Sequence, residues 1–387
     1  MKKYGEQIAI PCVLMRGGTS KALFFHERHI PSEGVYRDAF LKRAMGTPDP
    51  LQIDGLGGSR LVTSKVAIIS LSAREDADID YLFAQIDIER DLIGYEGNCG
   101  NISAAVGPFA IDEGLIEAVE PVTTVRIFNR NTNSVLVAQV PICGDKAKVN
   151  GNCMVAGVPG AGAEILLDYS NSIGAKTGRL LPTGLAAEKL MLEDSREIEI
   201  SVCDAGNPCV YVAASDLGLN GSESPSSISD ERALINVMGE IQAKVGQRLG
   251  FWSYWREQYQ PGLPLLICVA PPEDFYSPDG VLHSADTMDL RARLVFLGKC
   301  HDSLAGTGSI CLAAASRVPG SIVERLVKRA GGADELRVGH PLGVMSVKVV
   351  TEQKSSGWSI TSLGLARTAR RLMAGVVLVP YCSSFET

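Results

Sequence analysis

The sequence has no long apolar run, no excess of basic charge and no paired-cysteine spacing, and each shortage removes a class of function. No stretch approaches the ~18 apolar residues of a membrane-spanning helix. The opening residues, MKKYGEQIAIPC, carry two lysines without the apolar run of a secretion signal. A cytoplasmic protein is the expectation. Basic residues number 37 against 44 acidic, a net charge of −7, so no basic face for nucleic acid or an anionic membrane is expected. A small anionic substrate stays open, because two or three local donors can overrule the global sign. The ten cysteines, at 12, 99, 143, 153, 203, 209, 268, 300, 311 and 382, form no CxxC pair. That argues against zinc, iron–sulfur and a disulfide scaffold and for mostly buried thiols. Dinucleotide loops are missing too. Gly306-Thr307-Gly308-Ser309 and Gly55-Leu56-Gly57-Gly58 look like shortened forms, but no acidic residue follows about 20 positions on in a βαβ unit. No metal and no cofactor are expected.

What is present is apolar substance and glycine. Hydrophobic residues make up 45% of 387 residues, enough for real cores, and a chain of this length suggests two domains of near-equal size. The 40 glycines point to tight turns and sites built from main-chain N–H groups. Ile8 to Leu14 reads as a strand, Met15 to Lys21 as a loop, Ala22 to Phe25 as a second strand and Tyr36 to Met45 as a helix. The glycine-rich loop Gln52 to Gly58 leads to the β-branched run Thr63 to Ser70, a buried strand, followed by another strand over Ile79 to Ile88. Asn98 reads as the cap of a helix of small residues that runs to Ile111. Strands are expected at Thr124 to Asn129, Val135 to Pro141 and Lys146 to Asn150. A boundary is expected near 185, dividing the chain into 1–185 and 186–387, with a terminal strand at 376–387 returning to the first domain. The second half offers strands at Ile198 to Val202, Asn207 to Ala213, Pro264 to Val269 and Leu290 to Leu297, and a helix from Asp230 to Leu249. Cys99-Gly-Asn-Ile-Ser-Ala-Ala and Gly306-Thr-Gly-Ser-Ile-Cys-Leu-Ala-Ala each open a small-residue helix with a glycine turn. That similarity hints at duplication, with two helix N-termini able to bind anions.

Proton transfer on a small acid without a cofactor needs a base, an acid and fixed donors for carboxylates and developing charge. Lys65 starts an otherwise apolar strand, where desolvation would disfavour the ammonium and make it a base; the plainer reading is a strand-end lysine with its head in water. Cys99, at the first turn of a helix beside Gly100 and Asn101, would gain thiolate character from the helix dipole, unless it is simply a small buried filler. Gly306, Thr307, Gly308 and Ser309 suit a carboxylate-binding turn, or an ordinary turn. His301 is a further donor or shuttle, or a satisfied structural histidine.

Taken in order, Arg16-Gly-Gly-Thr-Ser-Lys21, Gln52-Ile-Asp-Gly-Leu-Gly-Gly58, Thr63-Ser-Lys-Val-Ala-Ile68, Asn98-Cys-Gly-Asn101, Gly107-Pro-Phe-Ala-Ile111, Gly157-Val-Pro-Gly160, Leu181-Pro-Thr-Gly184 and His340-Pro-Leu-Gly343 resemble the 2-methylaconitate isomerase (PrpF) family. The resemblance spans nearly the whole chain. Other members of that family are methylitaconate Δ-isomerase, 4-oxalomesaconate tautomerase and aconitate Δ-isomerase. It implies an α/β fold of the diaminopimelate-epimerase type: two pseudo-symmetric domains, each a mixed sheet wrapped around a central helix, with the site in the cleft between them. In the wider superfamily one cysteine per domain acts as base or acid. Cys99 matches the first, whereas Ala305 stands at the second, which argues against a two-thiol amino-acid epimerase. The lysine matching Lys65 is the proposed base. The resemblance makes Lys65 and Cys99 the catalytic pair and Thr19, Ser20, Gln52, Ser64, Gly100, Asn101, His301, Gly306, Thr307, Gly308 and Ser309 the substrate-binding set. The partner expected is a small unsaturated di- or tricarboxylic acid, with self-association left open. The helix sequence from Asn101 to Glu113 is most similar to the methylitaconate isomerase branch. The competing reading is a binding or accessory protein for an aconitase-type dehydratase, which would exchange no proton itself.

Overall fold

In the computed structural model, residues 2–328, 334–354 and 357–381 are described. They fall into two compact units, 1–167 with 367–387, and 168–366. The division lies between Leu167 and Asp168 rather than near 185, because the stretch after Asp168 is bonded into the second unit. Tyr169 N–H donates to Leu363 O, Gly174 N–H to Asp204 O, and the Asp204 carboxylate takes Lys176 N–H, Thr177 N–H and the Thr177 hydroxyl.

In the first unit β1 (Gln7–Gly17) and β2 (Ser20–His26) form an antiparallel hairpin, with Gly17 opposite Ser20. After α1 (Val35–Met45), β3 (Lys65–Leu71) lies parallel to β2. β4 (Ile79–Ile86) runs antiparallel to β3, and the two-residue β5 (Ile93–Gly94) antiparallel to β4. Then comes α2 (Gly100–Asp112), followed by β6 (Val122–Asn129), parallel to β4, and β7 (Ser134–Cys143), antiparallel to β6.

The second unit repeats this sequence of pairings. β8 (Glu197–Ala205) and β9 (Asn207–Ala213) form the hairpin, and α3 (Arg232–Arg248) leads to β10 (Leu265–Ala270), parallel to β9. β11 (Leu290–Phe296) is antiparallel to β10, and β12 (Lys299–Cys300) antiparallel to β11. α4 (Gly306–Ala315) follows, then β13 (Glu335–His340), parallel to β11, and β14 (Gly343–Lys354), antiparallel to β13. Six pairings recur with the same direction in the same order, so the duplication hinted at by two glycine turns extends through both sheets. The chain then returns to the first unit as β15 (Ala369–Pro380), antiparallel to β1. Of the expected terminal strand 376–387, positions 382–387, including Cys382, lie outside the described residues.

Alternation sorts the first sheet. Leu23, Phe25, Val66, Ile68, Leu82, Ala84 and Ile86 pack with Phe40, Leu41, Ala44 and Met45 of α1. Side chains alternate along a strand, so Phe24 and His26 face the other way, and their rings lie 5.4 and 5.1 Å from Phe109 of α2. Every α2 residue from Gly100 to Ile111 is buried, as is the whole of α4. Small residues permit this depth: a Cβ on Gly107 would come 2.8 Å from Val140 Cγ2, and one on Gly308 2.4 Å from Leu294 Cδ1.

Several expectations need correction. β1 continues through Met15-Arg16-Gly17, which reads as loop in the sequence, because β15 pairs with it along its full length. Only Lys146–Ala147 of the expected strand at 146–150 forms. The helix expected over 230–249 is interrupted at Glu231, with a short helix Pro225–Asp230 before α3. Asn98 is not the cap of α2. Cys99 holds that position without a side-chain bond, and the Asn98 side-chain carbonyl accepts from the Ser103 hydroxyl instead. Among the described residues no helix is long and apolar enough to cross a membrane.

Candidate active site

Lys65 opens β3 directly opposite Gln85 of β4. It shares the face of Ala67, which pairs with Phe24, and so points toward α2 rather than α1. Its Nζ donates to Gln85 Oε1 at 2.5 Å and lies 5.1 Å from the Phe83 ring centroid, with only 3% of the residue exposed. Burial pushes the ammonium below its ordinary pKa, opposed by the neighbouring Cys99 thiol and its hydrogen bond. Lys65 is thus a desolvated amine beside uncharged strand neighbours, and the solvated strand-end reading does not fit it.

Cys99, also buried, sits at the first turn of α2. The first-turn N–H groups of Gly100 and Asn101 have no acceptor inside the helix, which leaves them able to serve an anion. The β1–β2 turn closes against this helix start. Asn101 Nδ2 donates to Thr19 Oγ1 at 3.1 Å, while its Oδ1 accepts from Arg367 Nε at 3.0 Å. Arg16 Nη1 donates to the carbonyls of Gly18 and Thr368, both at 2.9 Å. Ser20 is 2% exposed and its hydroxyl has no partner among the described residues. A buried unpaired hydroxyl costs about 1–3 kcal/mol, and this one shares the Lys65 face of the sheet. Thr19, Ser20, Lys65, Cys99, Gly100 and Asn101 are therefore gathered around one helix N-terminus.

Gln52 and Ser64 bond to each other just before Lys65. Gln52, at φ 48°, donates from Nε2 to Ser64 Oγ at 2.7 Å and accepts from Ser59 N–H at 3.0 Å. Gly57 leaves room for its side chain, since a Cβ there would meet it at 2.2 Å. Both side chains brace the loop leading to Lys65.

In the second unit Gly306, Thr307, Gly308 and Ser309 form the first turn of α4. Thr307 Oγ1 accepts from Asn207 Nδ2 at 2.9 Å, and the Ser309 hydroxyl donates to Gly306 O at 2.8 Å. His301, between β12 and α4, accepts at Nδ1 from Ser303 N–H at 3.0 Å, which puts its proton on Nε2. The matching topology aligns the two units residue by residue. Ser20 and Asn207 both open the second strand of a hairpin. Asn101 and Thr307 are both second in their helices, so the Asn–Thr bond between hairpin and helix recurs with its partners exchanged. Where the first unit has Cys99 as N-cap, the second has Ala305. Where Lys65 opens β3, Leu265 opens β10 opposite Cys209. A lysine at the strand start and a thiol at the helix cap therefore stand in the first unit alone. Thr307→Val is expected to cost about 1–3 kcal/mol by removing the acceptor of a buried amide, measurable by urea titration.

Gln85, Phe83 and Arg367 are absent from the set read in the sequence. Gln85 carried a faint signal, a polar residue at a buried position of the apolar run Ile79–Ile86. Arg367 carried none, being 266 residues from Asn101.

A family model described as PrpF protein matches residues 7–380. The chain is 42% identical to a 3-methylitaconate isomerase of Eubacterium barkeri over 377 residues, 97% of this chain and 98% of that protein. It is 34% identical to a 2-methyl-aconitate isomerase of Shewanella oneidensis, covering 98% of this chain and 99% of that one. Among solved structures, a methylitaconate-delta-isomerase matches with a TM-score of 0.78 at 42% identity, covering 97% of both chains. A hydroxyproline epimerase from Agrobacterium vitis, 13% identical, covers both chains fully with a TM-score of 0.56. That likeness is one of fold, the diaminopimelate-epimerase type that the sequence motifs implied.

Proposed function

This chain belongs to the PrpF family, and on that premise we propose that it is an isomerase that moves a proton, and with it a C=C bond, on a small unsaturated di- or tricarboxylic acid. The observation that carries the reading is Lys65: a buried amine, held below its ordinary pKa by desolvation, in contact with the one thiol at the start of a buried helix.

Lys65 Nζ takes the proton from an allylic C–H, and the electron pair left on carbon delocalises through the double bond into the adjacent carboxylate as a dienolate. Burial keeps the amine neutral enough to accept it. The N–H groups of Gly100 and Asn101 hold a substrate carboxylate, and the unpaired Ser20 hydroxyl donates to the same substrate, with Thr19 fixing the Asn101 side chain. The N–H groups at Thr307 and Gly308 are a further donor set for a carboxylate, with Ser309 and His301 supporting that turn. The proton returns from Lys65, or from Cys99, to the far carbon of the allyl system, or to the same carbon after rotation. Return to the far carbon moves the double bond by one position, return to the same carbon changes only its geometry, and where Cys99 is the donor the proton held on Lys65 passes to its thiolate, so that nothing is oxidised or lost. Base, acid and carboxylate donors all come from the chain, so the proposed reaction uses neither metal nor organic cofactor.

The test is proton NMR in D₂O with 3-methylitaconate, 2-methylaconitate, cis-aconitate and 4-oxalomesaconate. Deuterium entry with isomer formation is expected for at least one. If none exchanges, the isomerase reading falls and the accessory-protein reading takes its place.

A further inference from the structure

We propose that Gln85 is the positioning residue of Lys65, a neutral acceptor that aims the amine toward the N-terminus of α2. The inference rests on Lys65 acting as the base. Lys65 and Gln85 are directly opposed in the antiparallel β3–β4 pair, where side chains on one face meet. The Gln85 side chain is itself held. Its Nε2 donates to Ser64 O at 2.9 Å and to Leu61 O at 3.2 Å, so both amide hydrogens are directed at backbone carbonyls. That leaves Oε1, and no other atom of the amide, to face Nζ at 2.5 Å. Gln85 is 5% exposed, so neither partner is shared with bulk water.

Three consequences follow from an acceptor at this place. A neutral lysine nitrogen has two N–H bonds and one lone pair. With one N–H pinned to Oε1, the lone pair must point away from β4, and the substrate proton is taken on that side. The acceptor is uncharged: a carboxylate there would stabilise the ammonium and disarm the base, whereas an amide orients it at little electrostatic gain. Phe83, two residues along the same strand and face, closes the remaining side with a ring rather than a charge. Among the described residues the titratable group that meets Lys65 is the Cys99 thiol from α2; Gln85 and Phe83 on one flank and Ala22 on the other carry no charge, and the Glu96 carboxylate lies beyond Gln85, by Gly94. The second unit shows what the site is without this arrangement, since Leu265 there needs no acceptor and its flank ends at Phe296.

The test uses full-length Gln85→Glu and Gln85→Leu, with thermal melts to establish folding. Lys65 is titrated directly by ¹³C NMR of protein labelled at lysine Cε, its signal identified by loss in Lys65→Arg. In parallel, kcat and kcat/KM are followed against pH on whichever acid exchanges deuterium with the wild type. Gln85→Glu is expected to move the Lys65 titration and the acidic limb of the rate profile upward by a unit or more. Activity at neutral pH then falls tenfold or more and returns in alkali. Gln85→Leu is expected to move both downward and to lower the plateau kcat about tenfold with little change in KM. A merely structural glutamine would give two weakened enzymes with unmoved profiles, and an unmoved Lys65 titration in Gln85→Glu overturns the proposal. The two readings fail separately. Lys65→Ala that keeps exchanging deuterium sinks the base assignment, while the NMR titration still reports whether Gln85 governs Lys65.

Discussion

Lys65→Ala is expected to lower kcat/KM by about 10²–10⁴-fold, the usual worth of a positioned general base, which is roughly 3–5 kcal/mol of transition-state stabilisation. The protein should stay folded, because the change removes a desolvated amine from a buried position and relieves its burial cost. Ethylamine added to the variant should restore part of the rate, since the missing atoms leave room where the amine stood, whereas Lys65→Met should not respond to it. In the wild type kcat/KM should rise with pH through a group titrating below the ordinary lysine range of about 10.4, because only the neutral amine accepts a proton and burial lowers its pKa. The same shift has a consequence for stability. The unfolded chain binds the lysine proton more tightly than the folded one, so between the lowered folded pKa and the unfolded value stability rises with pH. Lys65→Met should abolish that part of the dependence, which urea titrations across the alkaline range would detect. A Lys65→Ala enzyme with near-normal deuterium exchange would remove the proposed mechanism.

The second large effect is expected from Gly17→Ala. A Cβ at this position would stand 2.3 Å from the carbonyl oxygen of Asn101 and 3.2 Å from Ala105 Cβ. The obstacle is the backbone of α2, which cannot rotate aside like a flexible side chain. The helix start must therefore lift from the hairpin, carrying Cys99, Gly100 and Asn101 with it. Overpacking of this kind costs about 1–3 kcal/mol, and a displacement near 1 Å between base and binding groups can cost about 10²-fold in rate. Gly375→Ala on β15, where an added Cβ meets nothing within 4 Å, should change stability by no more than about 0.5 kcal/mol and leave the rate intact. Denaturant midpoints and kcat for the two variants decide it: equal behaviour would mean that the close approach at Gly17 does not hold the site.

Much of this site is legible in local chemistry. An amine at the head of Lys65-Val-Ala-Ile-Ile-Ser-Leu71 has to be either at a solvated edge or desolvated, and a cysteine before Gly100-Asn101 has to be near a helix start, because both statements depend on neighbours a few residues away. The choice between the alternatives is not local. Whether Lys65 faces α2 or α1 depends on the register of β3 against β2 and β4, which is set by residues 43 and 20 positions distant. The position of the helix cap has the same origin. Asn98 is a good cap by type, yet its side-chain carbonyl is taken by Ser103 one turn into the helix, and Cys99 occupies the boundary.

The order of strand, glycine turn and small-residue helix and the acidic balance follow from the sequence by itself, since composition and short spacing suffice for them; membership of the family rests on motifs shared with relatives along nearly the whole chain. Tertiary structure alone decided the rest. It showed that six strand pairings repeat in the same order, that Leu265 and Ala305 stand where Lys65 and Cys99 stand in the first unit, and that Gln85 and Arg367 complete the surroundings of Lys65 and Asn101. The physical reason is that a desolvated amine and a buried amide are defined by what closes around them, and those atoms come from strands and turns as far as 266 residues away in the chain.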